Sequence, residues 1–134
     1  MAAHYAFARY LKGGNTPELS WITLGGTVAE GQPIVRSSGA GVVATGGTDT
    51  GGVLGVAAAG GGSGDVIPYI PATPDALFRT KDVSAALTAG LLYGLVATTL
   101  NVDASNTTQT RLKVYEPVDE EGKYGVIFTG FLVL

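Results

Sequence analysis

The stretch GAGVVATGGTDTGGVLGVAAAGGGSG, residues 39–64, decides the fold class of this chain. Eleven of its 26 residues are glycine, and Asp49 is its only charged side chain. Within it, GGVLGVAAAG (residues 51–60) reads as a small apolar strand set between two glycine clusters. Glycine weakens a strand unless backbones must approach closely or bend sharply. So much glycine among Val, Ala and Thr predicts short strands and tight turns, without long helices.

The same punctuation extends to both sides. Residues 20–24 (SWITL) alternate Trp21 and Thr23 against Ile22 and Leu24, and further strands are predicted at 33–36, 41–44, 53–58, 65–70 and 76–80. Pro68 and Pro71 donate no ladder hydrogen bond, so the 65–70 strand is expected at a sheet edge, or to end there. Strands are predicted again at 91–96, 100–103 and 110–116. In the last of these, Leu112 and Val114 face one way and Arg111, Lys113 and Tyr115 the other. The closing segment 124–134 is apolar at both parities, as expected of a strand covered on both faces. Residues 81–90 (KDVSAALTAG) are the one helix candidate.

The fold expected is therefore all-β with at most one short helix, a small glycine-rich β-barrel or sandwich. Residues 1–17 read as an N-terminal arm and 18–134 as a single β-rich domain, the boundary marked by Gly13-Gly14-Asn15 and Pro17. The arm holds His4, Tyr5, Phe7, Arg9 and Tyr10. Aromatic and arginine side chains are the types that anchor interfaces. These five are the candidate contact residues, either adding a strand to a partner's sheet edge or packing on this domain. On the first reading, deleting residues 2–12 leaves the fold intact.

Composition excludes several functions. The 134 residues suit one domain with a real core, burying about 68–70% of the unfolded chain's surface. Charged residues make up 14% of the chain, against about 25% in typical soluble domains. Much of such a surface is expected to be covered by other subunits or a partner. Net charge is −3 and no basic field exists to gather phosphates, which argues against nucleic-acid binding. With no cysteine and one histidine, thiolate catalysis, disulfides and a zinc site have no ligands. His4 has no nearby acid or serine in sequence, no catalytic residue is assigned, and no cofactor or enzymatic role is expected.

The acids Asp119, Glu120 and Glu121 read as a solvated turn rather than a cation site. No Lys follows the glycines as a phosphate loop requires, and the loose GxGxxA at 39–44 leads into a loop instead of a helix. Residues 83–102 form an uncharged run long enough to cross a bilayer. Ser84, Thr88, Thr98, Thr99 and Asn101 interrupt it, so a pair of core strands is expected and no membrane span. The opening MAAHYAFARYLKGG places Arg9 and Lys12 after the apolar part, the reverse of a signal peptide.

Taken as a series, residues 28–70 carry a G-x-P-[IL]-V step at Gly31–Val35, a loop at Thr48-Asp49-Thr50-Gly51, and the strand VLGVAAA at residues 53–59. Residues 91–132 carry Tyr93-Gly94-Leu95, then Val102-Asp103 with Ser105, Thr107 and Thr108, and a closing Val126-Ile127-Phe128. This layout, spanning about residues 27–133, resembles the head decoration (capsid cement) proteins of tailed bacteriophages, including the lambda type. The resemblance implies a small β-rich virion protein on the capsid exterior, often trimeric, which binds the major capsid protein and holds neighbouring capsomers together. A phage tail or fibre module that binds a host glycan is the alternative. Sparse charge and the apolar last strand favour a homo-oligomer, a trimer by the resemblance.

Overall fold

The computed structural model describes residues 3–37, 39–43, 53–96, 99–108 and 110–129. Eleven strands run in chain order: β1 (Ala6–Tyr10), β2 (Ser20–Thr23), β3 (Pro33–Ser37), β4 (Ala40–Val43), β5 (Gly55–Ala57), β6 (Val66–Pro71), β7 (Ala76–Thr80), β8 (Leu92–Leu95), β9 (Val102–Asp103), β10 (Leu112–Glu116) and β11 (Tyr124–Phe128). They form two antiparallel sheets, one in the order β1-β7-β11-β10-β8-β9 and one in the order β2-β6-β5-β3-β4. No helix occurs among the described residues. The all-β expectation holds, and the sandwich is the form it takes. Neither sheet closes into a barrel, although the bridge between Leu24 and Gly41 draws the edges β2 and β4 together.

The main core lies between the sheets. Val56 and Ile70 from the five-stranded sheet meet Phe78, Leu112, Val114, Val126 and Phe128 from the six-stranded one. Burying each such side chain contributes about 1.5–3 kcal/mol. A second cluster, with Ile22, Leu24, Ile34, Ala57, Ile67 and Tyr69, occupies the other face of the five-stranded sheet. Alternation explains the split: Val56 and Ala57 are neighbours on β5 and serve different cores. β11 is buried at every position, as a central strand covered on both sides requires.

Gly55 shows why a glycine-rich segment forms a strand here. A β-carbon at that position would overlap the Ile70 carbonyl oxygen of β6, so the two backbones approach as only glycine permits.

The predicted helix at 81–90 does not form. Its backbone amides bond to distant partners: Ser84 N–H to the Val102 carbonyl at 2.9 Å, Leu87 N–H to the Tyr124 hydroxyl at 3.2 Å, and Thr88 N–H to the Tyr93 hydroxyl at 2.9 Å. Each donor so used is lost to an i→i−4 ladder. Gly90, at φ 91°, then turns the chain into β8. The uncharged run at 83–102 thus holds an irregular segment followed by β8 and β9, and no helix among the described residues is long and apolar enough to cross a membrane.

Of two finer expectations, the first holds in the second of its two forms and the other is corrected. β6 lies inside its sheet, between β2 and β5, and not at an edge; it does end at Pro71. Pro68 is tolerated because it falls opposite Ala58, just past the end of β5, and needs only its carbonyl to accept the Ala58 amide at 3.0 Å. Arg111 does not share the exposed side of Lys113 and Tyr115. It is buried, just before β10 begins, with its amide donating to the Tyr93 carbonyl at 2.9 Å.

Candidate functional site

Of the five candidate contact residues, Phe7, Arg9 and Tyr10 stand on a strand of the domain's own six-stranded sheet, and His4 and Tyr5 lie just ahead of it. Residues 6–10 form β1, which pairs with β7 through Ala6–Arg79, Phe7–Phe78, Arg9–Leu77 and Tyr10–Ala76, with a bulge between Phe7 and Arg9. Its other edge is engaged at both ends. Tyr5 N–H donates to the Gly31 carbonyl at 2.8 Å, and Tyr10 N–H donates to the Gly14 carbonyl at 2.9 Å. A strand held this way is not a detached arm free to join a partner's sheet.

The side chains follow the backbone. Tyr5 is 1% exposed, and its hydroxyl donates to the Leu100 carbonyl at 2.7 Å. Leu100 is itself buried in a left-handed turn at φ 62°, so Tyr5 closes over a conformation that non-glycine residues rarely adopt. Burial first, and the Asp82 charge second, push the Tyr5 hydroxyl above the ordinary tyrosine range, which keeps it a donor. Phe7 packs edge-on against Tyr10 and Phe78 with ring centroids 4.9 and 5.9 Å apart, and Tyr5 and Phe78 both contact Phe128. His4 is exposed. Its backbone amide donates to Asp82 Oδ2 at 2.8 Å, and its ring covers Gly31, where a β-carbon would overlap it.

Arg9 belongs to an ion network on the outer face of the six-stranded sheet. Arg9 Nη2 lies 2.9 Å from Glu116 Oε2, Arg79 Nη2 lies 3.4 Å from Glu116 Oε1, and Arg79 Nη1 lies 2.8 Å from Asp119 Oδ2. The acidic turn is therefore partly a structural cap. Asp119 Oδ1 accepts the amides of Lys123 at 3.0 Å and Glu121 at 2.8 Å. The Lys123 amide foremost, then the Glu121 amide and the Arg79 and Lys123 charges, hold the Asp119 carboxyl below its usual range against a smaller opposing effect of desolvation. Among the described residues no cluster of three or more His, Asp or Glu side chains is placed to hold a metal ion.

Two faces expose large apolar side chains. On the five-stranded sheet, Trp21 is 64% exposed and Val66 59%; Trp21 pairs with Pro68 and Thr23 with Val66, so Trp21 and Val66 are diagonal neighbours. Leu19 lies just ahead of them, also exposed. On the six-stranded sheet, Leu91, Leu92, Tyr115 and Val118 are exposed around β8 and β10. The alternation at 20–24 carried the signal for Trp21, because it sets that residue opposite Ile22 and Leu24. Nothing local in the sequence marks its convergence with Val66, which depends on the β2–β6 register.

A cleft of ≈ 350 Å³ opens at the end of β7, lined by His4, Ala6, Arg79, Thr80, Lys81, Asp82 and Lys123. Its residues come from three separate parts of the chain, so no motif announces it. The chain matches no protein-family model and no curated protein.

Proposed function

We propose that this protein is a capsid cement: a virion structural protein that binds the outside of an assembled phage shell and stabilises it by bridging capsomers. The observation that carries this reading is the pair of exposed apolar faces, Trp21 with Val66 on one sheet and Leu91, Leu92, Tyr115 and Val118 around the other. A bridging protein needs at least two adhesive surfaces on a rigid body, one for copies of itself and one for the shell. Modest contacts repeated across several subunits then add by avidity. The layout of short motifs over residues 27–133 supports the same reading. A homotrimer is the assembly we infer, since it covers apolar surface that a chain with 14% charged residues leaves open.

The test is capsid decoration. Purified protein added to bare phage heads should appear as knobs on the shell in negative stain. Decorated heads should survive a higher temperature, since a ligand bound only to the intact state stabilises that state. Equal heat tolerance of decorated and bare heads rejects the proposal, and density confined to a tail tip replaces it with the glycan-binding alternative.

A further inference from the structure

We propose that copies of this chain join head to tail: the face bearing Leu19, Trp21 and Val66 on one copy seats on the face bearing Leu92, Lys113 and Tyr115 on the next. The first face runs along β2 and the start of β6, where Trp21 pairs with Pro68 and Thr23 with Val66. The second lies on the outer side of the six-stranded sheet. Lys113 pairs there with Leu92 of β8 and with Ile127 of β11, and Tyr115 follows two residues on along β10. The five apolar side chains of the two faces are between 43% and 64% exposed.

Charge decides which face takes which. Residues 13–75, which hold all of the five-stranded sheet, carry five acids and one cation. That cation, Arg36, has the parity of Ile34 in the second core cluster, so it belongs to the opposite side of the sheet from Trp21. Two of the acids flank the first face, Glu18 beside Leu19 and Asp65 beside Val66, and both are exposed. Neither forms an ion pair among the described residues, and neither does Lys12, the nearest cation ahead of Glu18. Asp65 accepts the amide of Gly62 at 2.8 Å.

The second face has the reverse arrangement. Lys113 is exposed among Leu92, Ile127 and Tyr115 and makes no ion pair among the described residues. The two acids on the strands of that sheet are engaged elsewhere. Glu116 is held by Arg9 and Arg79, and Asp103, two strands away on β9, accepts from the amide and hydroxyl of Ser105 at 3.1 and 2.8 Å.

Like faces therefore oppose like charges: first on first sets Glu18 and Asp65 against the same acids, and second on second sets Lys113 against Lys113. First on second brings Lys113 to the acids and to the indole of Trp21, the strongest aromatic acceptor of a cation. Trp and Tyr are also the residue types that dominate interface energetics. A contact between unlike faces closes into a ring when the rotation between copies allows it, as a homotrimer needs. The inference rests on the self-association inferred above and not on the shell. Leu91, of opposite parity to Leu92, and Val118, beyond the end of β10, lie outside this contact and stay open to the shell.

The test is sedimentation of two variants, alone and mixed. Trp21→Ser with Val66→Ser spoils the first face, and Leu92→Ser with Tyr115→Ser spoils the second. All four side chains are exposed, so both chains should fold, as denaturation checks. The native chain should self-associate as its concentration rises, and each variant alone should stay monomeric. An equimolar mixture should form a one-to-one dimer, because one intact face of each kind remains. Lys113→Glu should weaken self-association of the otherwise native chain about tenfold or more, and Lys113→Arg should leave it unchanged. A native chain that is monomeric at every concentration, a second-face variant that still associates like the native chain, no dimer in the mixture, or no effect of Lys113→Glu would each overturn the proposal. Protein that stays monomeric yet decorates and stabilises phage heads overturns this contact alone. Protein that associates as described without decorating heads supports this contact and rejects the cement reading.

Discussion

Gly125 lies directly beneath the Glu116 carboxylate: a β-carbon on Gly125 would stand 2.8 Å from Glu116 Oε1 and 2.9 Å from Glu116 Cβ. The absent side chain lets Glu116, on β10, reach across β11 to Arg79 on β7 and on to Arg9 on β1. One glycine thus permits an ion network that spans four strands.

Gly125→Ala should therefore destabilise the domain by about 1–3 kcal/mol, through crowding and loss of the Arg79–Glu116 contact. The cost should be smaller in a Glu116→Ala background, where part of the obstruction is gone. Chemical denaturation of the four proteins of this cycle measures the coupling. Strict additivity would show that Gly125 matters for some other reason.

Gly55→Ala should be worse, because its obstacle is the Ile70 backbone carbonyl, which cannot rotate away. A loss of about 3 kcal/mol or more, or failure to fold, is expected. A melting temperature within a degree or so of the native protein's would mean that β5 and β6 are free to separate there.

Deletion of residues 2–12 should unfold the domain. It removes Tyr5, a fully enclosed core residue, and exposes the edge of β7. The single change Tyr5→Phe tests the contact more finely. It leaves the buried Leu100 carbonyl without its hydroxyl donor and should cost about 1–3 kcal/mol. A truncated chain with an unchanged thermal transition would restore the independent arm.

Acid should weaken the 119–123 turn. The folded-state pKa of Asp119 is depressed, so its contribution is fully present above the unfolded carboxylate pKa of about 3.9 and is lost as pH falls through the folded value. Asp119→Asn should be less stable than the native chain at neutral pH, and the difference should shrink towards strong acid. A gap between the two denaturation curves that stays constant across that range would rule out the linkage.

Trp21→Ser combined with Val66→Ser should leave the denaturation midpoint within the range of ordinary surface changes, about 0.5 kcal/mol, since both side chains face outward. Self-association by sedimentation or shell binding should fall sharply. Unchanged assembly on both counts would remove this face from the proposed interfaces.

Local order in the sequence was enough for the strands whose two faces differ. The alternations at 20–24 and 112–115 are period-two patterns, and the structure buries Ile22, Leu24, Leu112 and Val114 while leaving Trp21, Lys113 and Tyr115 exposed. Glycine density likewise foretold short strands and close backbones, realised at Gly55. What the sequence could not decide depended on which strand pairs with which. Residues 1–17 look like an arm because Gly13 and Gly14 follow an aromatic stretch, yet β7, seventy residues on, offers β1 a ladder. Residues 81–90 look helical until the hydroxyls of Tyr93 and Tyr124 and the carbonyl of Val102 take their amides. Pro68 looks like an edge residue until the end of β5 falls beside it. The ion network and the cleft join residues as distant as His4, Arg79 and Lys123. Hydrophobic period is a property of neighbours along the chain; register, edge position and charge clustering belong to the long-range pairing of strands, and only the folded chain decides them.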